Sequence, residues 1–277
     1  MNLLFAFLLG TVQALTEFLP ISSSGHLVVF QKFLDIQEAS PAFDALLHIG
    51  TALATIYFYR RRIGRILSGS LHWCAHRMRK NGPSSPEATE AIRLLGLILL
   101  ASIITAALGL PLKDLFESLF ENTTAVGVAF LLTATLLLLT RKYQAGSEEA
   151  GLERVTLSMA ILIGMAQFVA ITPGISRSGA TIGVALVLGL RRRTAAEFSF
   201  LISIPAILGA NLIQLLEGGF EAGVLAIGLG VLTSFLFGLA ALSLLVYLVR
   251  RGNFYQFAWY LFPLGLVVLL GSLLGWL

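Results

Sequence analysis

The stretch I171-T-P-G-I-S-R-S-G-A-T181 places an arginine among helix breakers inside one of the most apolar parts of the chain. Proline ends a helix, glycine loosens it, and serine caps the next one. The stretch therefore reads as a break between two helices, with Arg177 at the start of the second. A related stretch lies 154 residues earlier: I21-S-S-S-G25 matches I175-S-R-S-G179 in four of five positions. Gly10 and Gln13 recur as Gly164 and Gln167 at the same offset. The chain thus carries two related broken-helix regions, 3–34 and 156–190.

The surroundings of these breaks are those of a membrane protein. Of 277 residues, 57% are apolar and 12% charged, against about 25% charged in a soluble domain. Mean hydropathy is +0.86. A spanning helix needs about 20 mostly apolar residues. Six uninterrupted stretches qualify: 43–59, 94–112, 123–140, 195–216, 222–249 and 254–276. The apolar N-terminus has neither a basic leader nor a small-residue cleavage site after it, so no removable signal peptide is expected. A single cysteine, Cys74, excludes an internal disulfide framework.

Charge sets the topology. Segments 60–93, 141–154, 191–193 and 250–251 hold all the Lys and Arg residues except Lys32, Lys113 and Arg177. By the positive-inside rule these segments are cytoplasmic. Loops 33–42, 113–122 and 217–221 are acidic or nearly neutral and lie outside. Region 156–190 then starts and ends inside, so it dips into the membrane and returns. Region 3–34 ends outside and dips from the opposite face. Related broken helices inserted from opposite faces are the mark of inverted repeats. The expected fold is an all-α integral membrane protein with six spanning helices and two broken re-entrant hairpins. Residues 1–277 form one transmembrane domain, with repeats at roughly 1–140 and 155–277 joined by a cytoplasmic loop, 141–154.

The breaks carry the chemistry. Gln13 and Glu17 share a helix face. Pro20 ends that helix, and Ser22, Ser23 and Ser24 stand where the next begins, followed by His26. The second break supplies Gly174, Ser176, Arg177, Ser178 and Thr181. Helix N-termini favour anions, and the arginine fork fits phosphate oxygens. Ionisable groups at membrane depth are costly and point to function. If the breaks face each other, the pocket suits phosphoryl chemistry. Arg177 holds phosphate, a serine or His26 attacks, and Glu17 orients a base or carries a divalent cation. The structural reading remains beside this: serine and glycine pack helices closely, Glu17 and Gln13 form a hydrogen-bond pair, and His26 sits satisfied in a core. His48 divides between a supporting bond and helix packing. Asp44 marks the membrane boundary. Glu197 reads as a salt-bridge partner of the arginines at 191–193. Loop 60–93 reads as a solvated cytoplasmic loop touching anionic lipid, which makes nucleic-acid binding unnecessary. His72, Cys74 and His76 give only a weak metal spacing.

The stretches QALTEFLPISSSGHL (13–27) and PGISRSGAT (173–181) resemble the two signature motifs of the undecaprenyl-diphosphate phosphatase family, the bacitracin-resistance type. FDALLHIGTALA (43–54) and AAEFSFLISIPAILGA (195–210) extend the resemblance through nearly the whole chain. It implies an enzyme of the bacterial inner membrane that removes the terminal phosphate of a C55 polyprenyl diphosphate. The monophosphate is the carrier lipid of cell-wall synthesis. It also implies a divalent cation, Mg²⁺ or Ca²⁺, and a site opening to the outer, periplasmic face. On the matching positions Glu17 is the essential carboxylate, and Gln13 stands where some members have a second Glu beside the metal. Ser23 is taken as nucleophile and His26 as its base or as proton donor to the leaving group, with direct attack by His26 as the competitor. Arg177 binds phosphate with Ser176, Ser178 and Thr181, and His48 contributes a hydrogen bond. The partners implied are the lipid substrate and the bilayer, with a homodimer left open. Two rival classes stand beside this one. The phosphatidic-acid phosphatase type lacks its Lys/Arg-Pro motif and its late histidine here. A transporter or flippase of prenyl phosphate or a small anion would use the same inverted repeats with binding groups only.

Overall fold

A computed structural model describes residues 2–33, 41–79, 84–143, 151–217 and 223–277. Most of the outer loops expected at 33–42 and 217–221, and half of the cytoplasmic loop expected at 141–154, lie outside the described residues. Those described are helical, without strands: α1 (Leu3–Phe18), α2 (Ser23–Phe33), α3 (Pro41–Phe58), α4 (Arg60–Met78), α5 (Pro86–Gly109), α6 (Lys113–Glu121), α7 (Thr123–Thr140), α8 (Leu157–Val169), α9 (Arg177–Val187), α10 (Arg192–Glu217), α11 (Val224–Arg250) and α12 (Ala258–Leu273).

Five helical segments are long and apolar enough to cross a membrane, and α3 makes a sixth when taken with its bent continuation. These correspond to the six stretches read from sequence. The breaks also appear where expected. At 1.5 Å per residue, α1 and α2 reach about 24 and 16 Å, and α8 and α9 about 20 and 16 Å. None alone covers a hydrocarbon core of about 30 Å. Each pair is a hairpin of half-length helices joined through non-helical backbone at 19–22 and 170–176.

The two repeats pack by one scheme. Helix α1 lies along α11 as α8 lies along α5; α3 meets α11 as α10 meets α5. The glycines found in the sequence repeat explain the closeness. A Cβ at Gly10 would sit 2.7 Å from the Gly230 carbonyl oxygen, and one at Gly164 would sit 2.9 Å from that of Ala101. Each glycine carbonyl is then bonded from the helix it touches. Ser234 Oγ donates to Gly10 at 3.2 Å, and Thr105 Oγ1 donates to Gly164 at 3.2 Å. Small residues let backbones approach so closely that dispersion and weak polar contacts hold the helices without a hydrophobic driving force.

Two connections differ from the sequence reading. Segment 60–93 is not a loop over its first half. Helix α4 leaves α3 at 75° and docks on α5, where a Cβ at Gly69 would meet Ala91 Cβ at 2.6 Å. Ile66 and Ser70 are buried on that face, whereas Leu67, Leu71 and Met78 remain exposed. Four arginines among its first six residues mask the apolar stripe from any averaged hydropathy. Segment 113–122, expected outside, is likewise helical: α6 buries Phe116 edge-on against Phe168 of α8, with centroids 5.9 Å apart.

Candidate active site

The two breaks meet inside the bundle. A Cβ at Gly25 would lie 2.9 Å from Gly174 Cα, and Ser178 Oγ reaches the Leu19 carbonyl at 3.4 Å. The second break is clamped by Thr133 of α7, whose hydroxyl donates to the Gly174 carbonyl (3.0 Å) and accepts from Ser176 N–H (3.1 Å). Gly174 has φ +92°, a conformation open to glycine without cost. The repeat is visible in the bonding. Gly25 N–H donates to Ser22 Oγ (3.4 Å), as Gly179 N–H donates to Ser176 Oγ (3.0 Å). The Ser22 and Ser24 hydroxyls pair at 3.3 Å, as those of Ser176 and Ser178 do at 3.2 Å. In one respect the halves differ. Ser22 has φ +71°, the left-handed region, while Ser176 has φ −71°. Backbone strain of this kind collects at functional sites.

Glu17 is the centre. It is buried at the end of α1, and four side chains converge on it. Ser23 Oγ donates to Oε2 at 2.6 Å and Gln13 Nε2 to the same oxygen at 3.2 Å. Arg177 Nη2 donates to Oε1. His48 Nε2 lies 3.7 Å from Oε2. Ser23 and Arg177 are the first residues of α2 and α9 and occupy equivalent positions in the repeat. Each half therefore presents the head of its second helix to one carboxylate, and the positive ends of two helix dipoles meet there.

Two polar atoms beside this carboxylate are buried and unpartnered: Arg177 Nη1 and Gln13 Oε1. Left so, each costs about 1–3 kcal/mol, so a missing partner is indicated. The first is a donor for an anion. The second is a neutral oxygen next to a carboxylate, a hard donor set that fits a divalent cation completing its shell with phosphate and water oxygens. Among the described residues no three His, Cys, Asp or Glu side chains gather as a metal site, here or elsewhere. Cys74 falls on the exposed apolar stripe of α4, away from the face of His72 and His76, so their sequence spacing makes no common site.

The other residues singled out in sequence fall around this centre. His26, one turn into α2, is not bonded to Ser23 or Glu17. Its Nδ1 faces the Ser22 carbonyl at 2.8 Å and its Nε2 the Tyr260 hydroxyl at 2.8 Å. Ser176, Ser178 and Thr181 are buried and spend their hydroxyls on the second hairpin and on its neighbours, the Leu19 carbonyl of the first break and Ser199 of α10. Thr181 Oγ1 donates to the Arg177 carbonyl at 2.8 Å and pairs with Ser199. They hold the turn that carries Arg177 rather than line the pocket beside it. His48 is fixed by Nδ1 donating to the Asp44 carbonyl at 2.8 Å. Asp44 does more than mark a boundary: both its carboxylate oxygens accept from Gln31 of α2 at 3.1 Å. Glu197 pairs with Arg62 of α4 at 2.5 Å, not with an arginine of 191–193. Sequence reasoning missed Tyr260, Phe130 and Thr133. Each sits in an unbroken apolar span with no local pattern to distinguish it.

A model of the family described as bacitracin resistance protein BacA matches residues 6–267. The chain belongs to that family. Curated relatives named undecaprenyl-diphosphatase agree along its length. The protein of Desulfosudis oleivorans is 44% identical over 263 residues, 94% of this chain and 95% of its own. That of Korarchaeum cryptofilum is 40% identical over 270 residues, covering 97% and 99%. That of Methanobrevibacter smithii is 38% identical over 280 residues, covering 99% of both. Both breaks lie inside the matched family region.

Proposed function

We propose that this protein hydrolyses undecaprenyl diphosphate to undecaprenyl phosphate and inorganic phosphate. The reaction recycles the lipid carrier of cell-wall synthesis and supports bacitracin resistance. The observation that carries the reading is the reach of Arg177, from one repeat, onto Glu17 of the other, with Arg177 Nη1 still unpartnered.

The residues suggest a route. The terminal phosphate takes up Arg177 Nη1 and draws the guanidinium from Glu17 to itself. The carboxylate is then free to accept the Ser23 proton along the 2.6 Å bond. Ser23 Oγ attacks the terminal phosphorus, and the bond from that phosphorus to the bridging oxygen breaks. The electron pair leaves with the bridging oxygen on the prenyl monophosphate. Water then attacks the phosphoserine, losing its proton to His26 Nε2; the bond from phosphorus to Ser23 Oγ breaks, Oγ takes back its proton from Glu17, and inorganic phosphate departs while His26 releases its proton to solvent. A divalent cation bound at Glu17 and Gln13 Oε1 would neutralise diphosphate charge. The α2 and α9 N-termini and Arg177 stabilise the charge that gathers on phosphorus, in a setting dry enough to make each donor count.

The hairpin that carries Glu17 and Ser23 enters from the face opposite the Lys/Arg-rich loops. We therefore place the protein in the bacterial inner membrane with its site open to the outer face, where the prenyl chain of the substrate remains in lipid. The test is phosphate release from undecaprenyl diphosphate by purified protein in detergent. Release that stops with EDTA and returns with Mg²⁺ or Ca²⁺ is expected. Folded protein that releases no phosphate with either cation refutes the reading.

A further inference from the structure

His26 has a partner that no motif contains. Tyr260 lies 234 residues further along, near the start of α12, yet its hydroxyl is 2.8 Å from His26 Nε2. The two rings stack at 14° with centroids 5.7 Å apart. Phe130 of α7 packs edge-on against the same imidazole, at 5.3 Å and 67°. The imidazole is thus held by a hydrogen bond at each nitrogen, with the Tyr260 and Phe130 rings packed beside it.

The bonding fixes the tautomer. A carbonyl oxygen only accepts, so the bond to Ser22 places the ring proton on Nδ1. Nε2 then carries the lone pair, and the Tyr260 hydroxyl donates to it. Tyr260 makes no other side-chain hydrogen bond among the described residues, and 48% of its surface is exposed.

We propose that Tyr260 is the positioning residue of His26. It keeps the Nε2 lone pair oriented in the absence of substrate, and when the reacting water takes that lone pair the Tyr260 hydroxyl stays bonded to the water, so the orienting bond persists through the step. This rests on the phosphatase reading, in which His26 takes a proton from water. Hydrogen-bonded orientation of a general base by a second group is how such bases keep one tautomer and one direction.

The test compares Tyr260→Phe with Tyr260→Leu. The phenylalanine keeps the stack and loses only the hydroxyl; the leucine loses both. Steady-state phosphate release should show kcat down about tenfold in Tyr260→Phe, the size expected for one lost orienting hydrogen bond. KM should change less than about twofold, and Tyr260→Leu should fall further in kcat. Unchanged kcat in Tyr260→Phe overturns the proposal, as does a loss confined to KM. A second readout needs no turnover. Nitrogen NMR of histidine-labelled protein, with His26 assigned through His26→Gln, should report a single Nδ1–H tautomer with a hydrogen-bonded Nε2. In Tyr260→Phe the Nε2 signal should move to that of an unbonded ring nitrogen. An Nε2 signal identical in the two proteins overturns the contact itself. Absence of phosphate release by wild type, with the NMR result as expected, would instead count against the phosphatase reading.

Discussion

Removing the Arg177 guanidinium should damage the protein in two ways that a second substitution can separate. Arg177→Met keeps most of the side-chain volume and deletes the charge. Arg177 and Glu17 have side chains only 15% and 6% exposed, so the pair is buried. Deleting one member of a buried pair leaves an uncompensated charge and costs about 3–5 kcal/mol. On a chain of this size that lowers the unfolding midpoint by on the order of ten degrees. The same change removes the donor aimed at the phosphate. One such donor is worth roughly 10²–10³ in kcat. Both losses are expected in Arg177→Met.

The pairing of Glu17→Gln with Arg177→Met then tells them apart. A glutamine at position 17 still accepts from Ser23, carries no charge, and needs no cation beside it. The double variant should therefore recover much of the midpoint lost by Arg177→Met, while its phosphate release stays at background. Midpoints come from size-exclusion recovery after heating in detergent; activity comes from colorimetric phosphate release with the cation present. If the double variant is no more stable than Arg177→Met, the destabilisation does not arise from a stranded carboxylate. The account of the site as an ion pair joining the repeats then fails. If Arg177→Met turns over like wild type, the guanidinium has no part in the chemistry.

Two further outcomes test how the breaks are built. Ser22→Gly removes a side chain from a left-handed position that costs a non-glycine residue about 1–2 kcal/mol, and loses two long bonds, 3.4 Å from Gly25 N–H and 3.3 Å with the Ser24 hydroxyl. Its unfolding midpoint should rise by a few degrees, and a clear fall would show that the Ser22 hydroxyl contributes more than the strain at φ +71° costs. Gly25→Ala places a methyl 2.7 Å from the Phe130 ring and 2.9 Å from Gly174 Cα. Forcing the two breaks apart should cost about 1–3 kcal/mol of stability, read as a lower midpoint. It should also abolish phosphate release, and normal turnover would mean that the breaks need not touch.

Much of this site was legible because membrane depth makes ordinary residues conspicuous. Pro20 and Pro173 cannot sit quietly in a half-spanning helix, and a charged Glu17 or Arg177 there needs a partner. The repeat supplied the direction of approach, and the structure joins these two residues as the topology requires. The second-break serines were harder. Ser176 and Ser178 read as phosphate ligands because hydroxyls beside an arginine suit phosphate, yet a non-helical turn inside a bundle must first satisfy its own backbone, and that demand took their hydroxyls. Helix α4 escaped for a different reason: its arginines and its apolar stripe cancel in any average, and only the docking of Gly69 on Ala91 shows which prevails. Tyr260 could not be seen at all. Its importance rests on a contact with a histidine 234 residues away, and an aromatic near the end of a spanning helix is ordinarily an interface anchor. The residues that make bonds within a motif announce themselves. Those that steady a motif from another helix become visible only once the helices are packed, and this is why the carboxylate, serine and arginine were found together while the hydroxyl on the histidine was not.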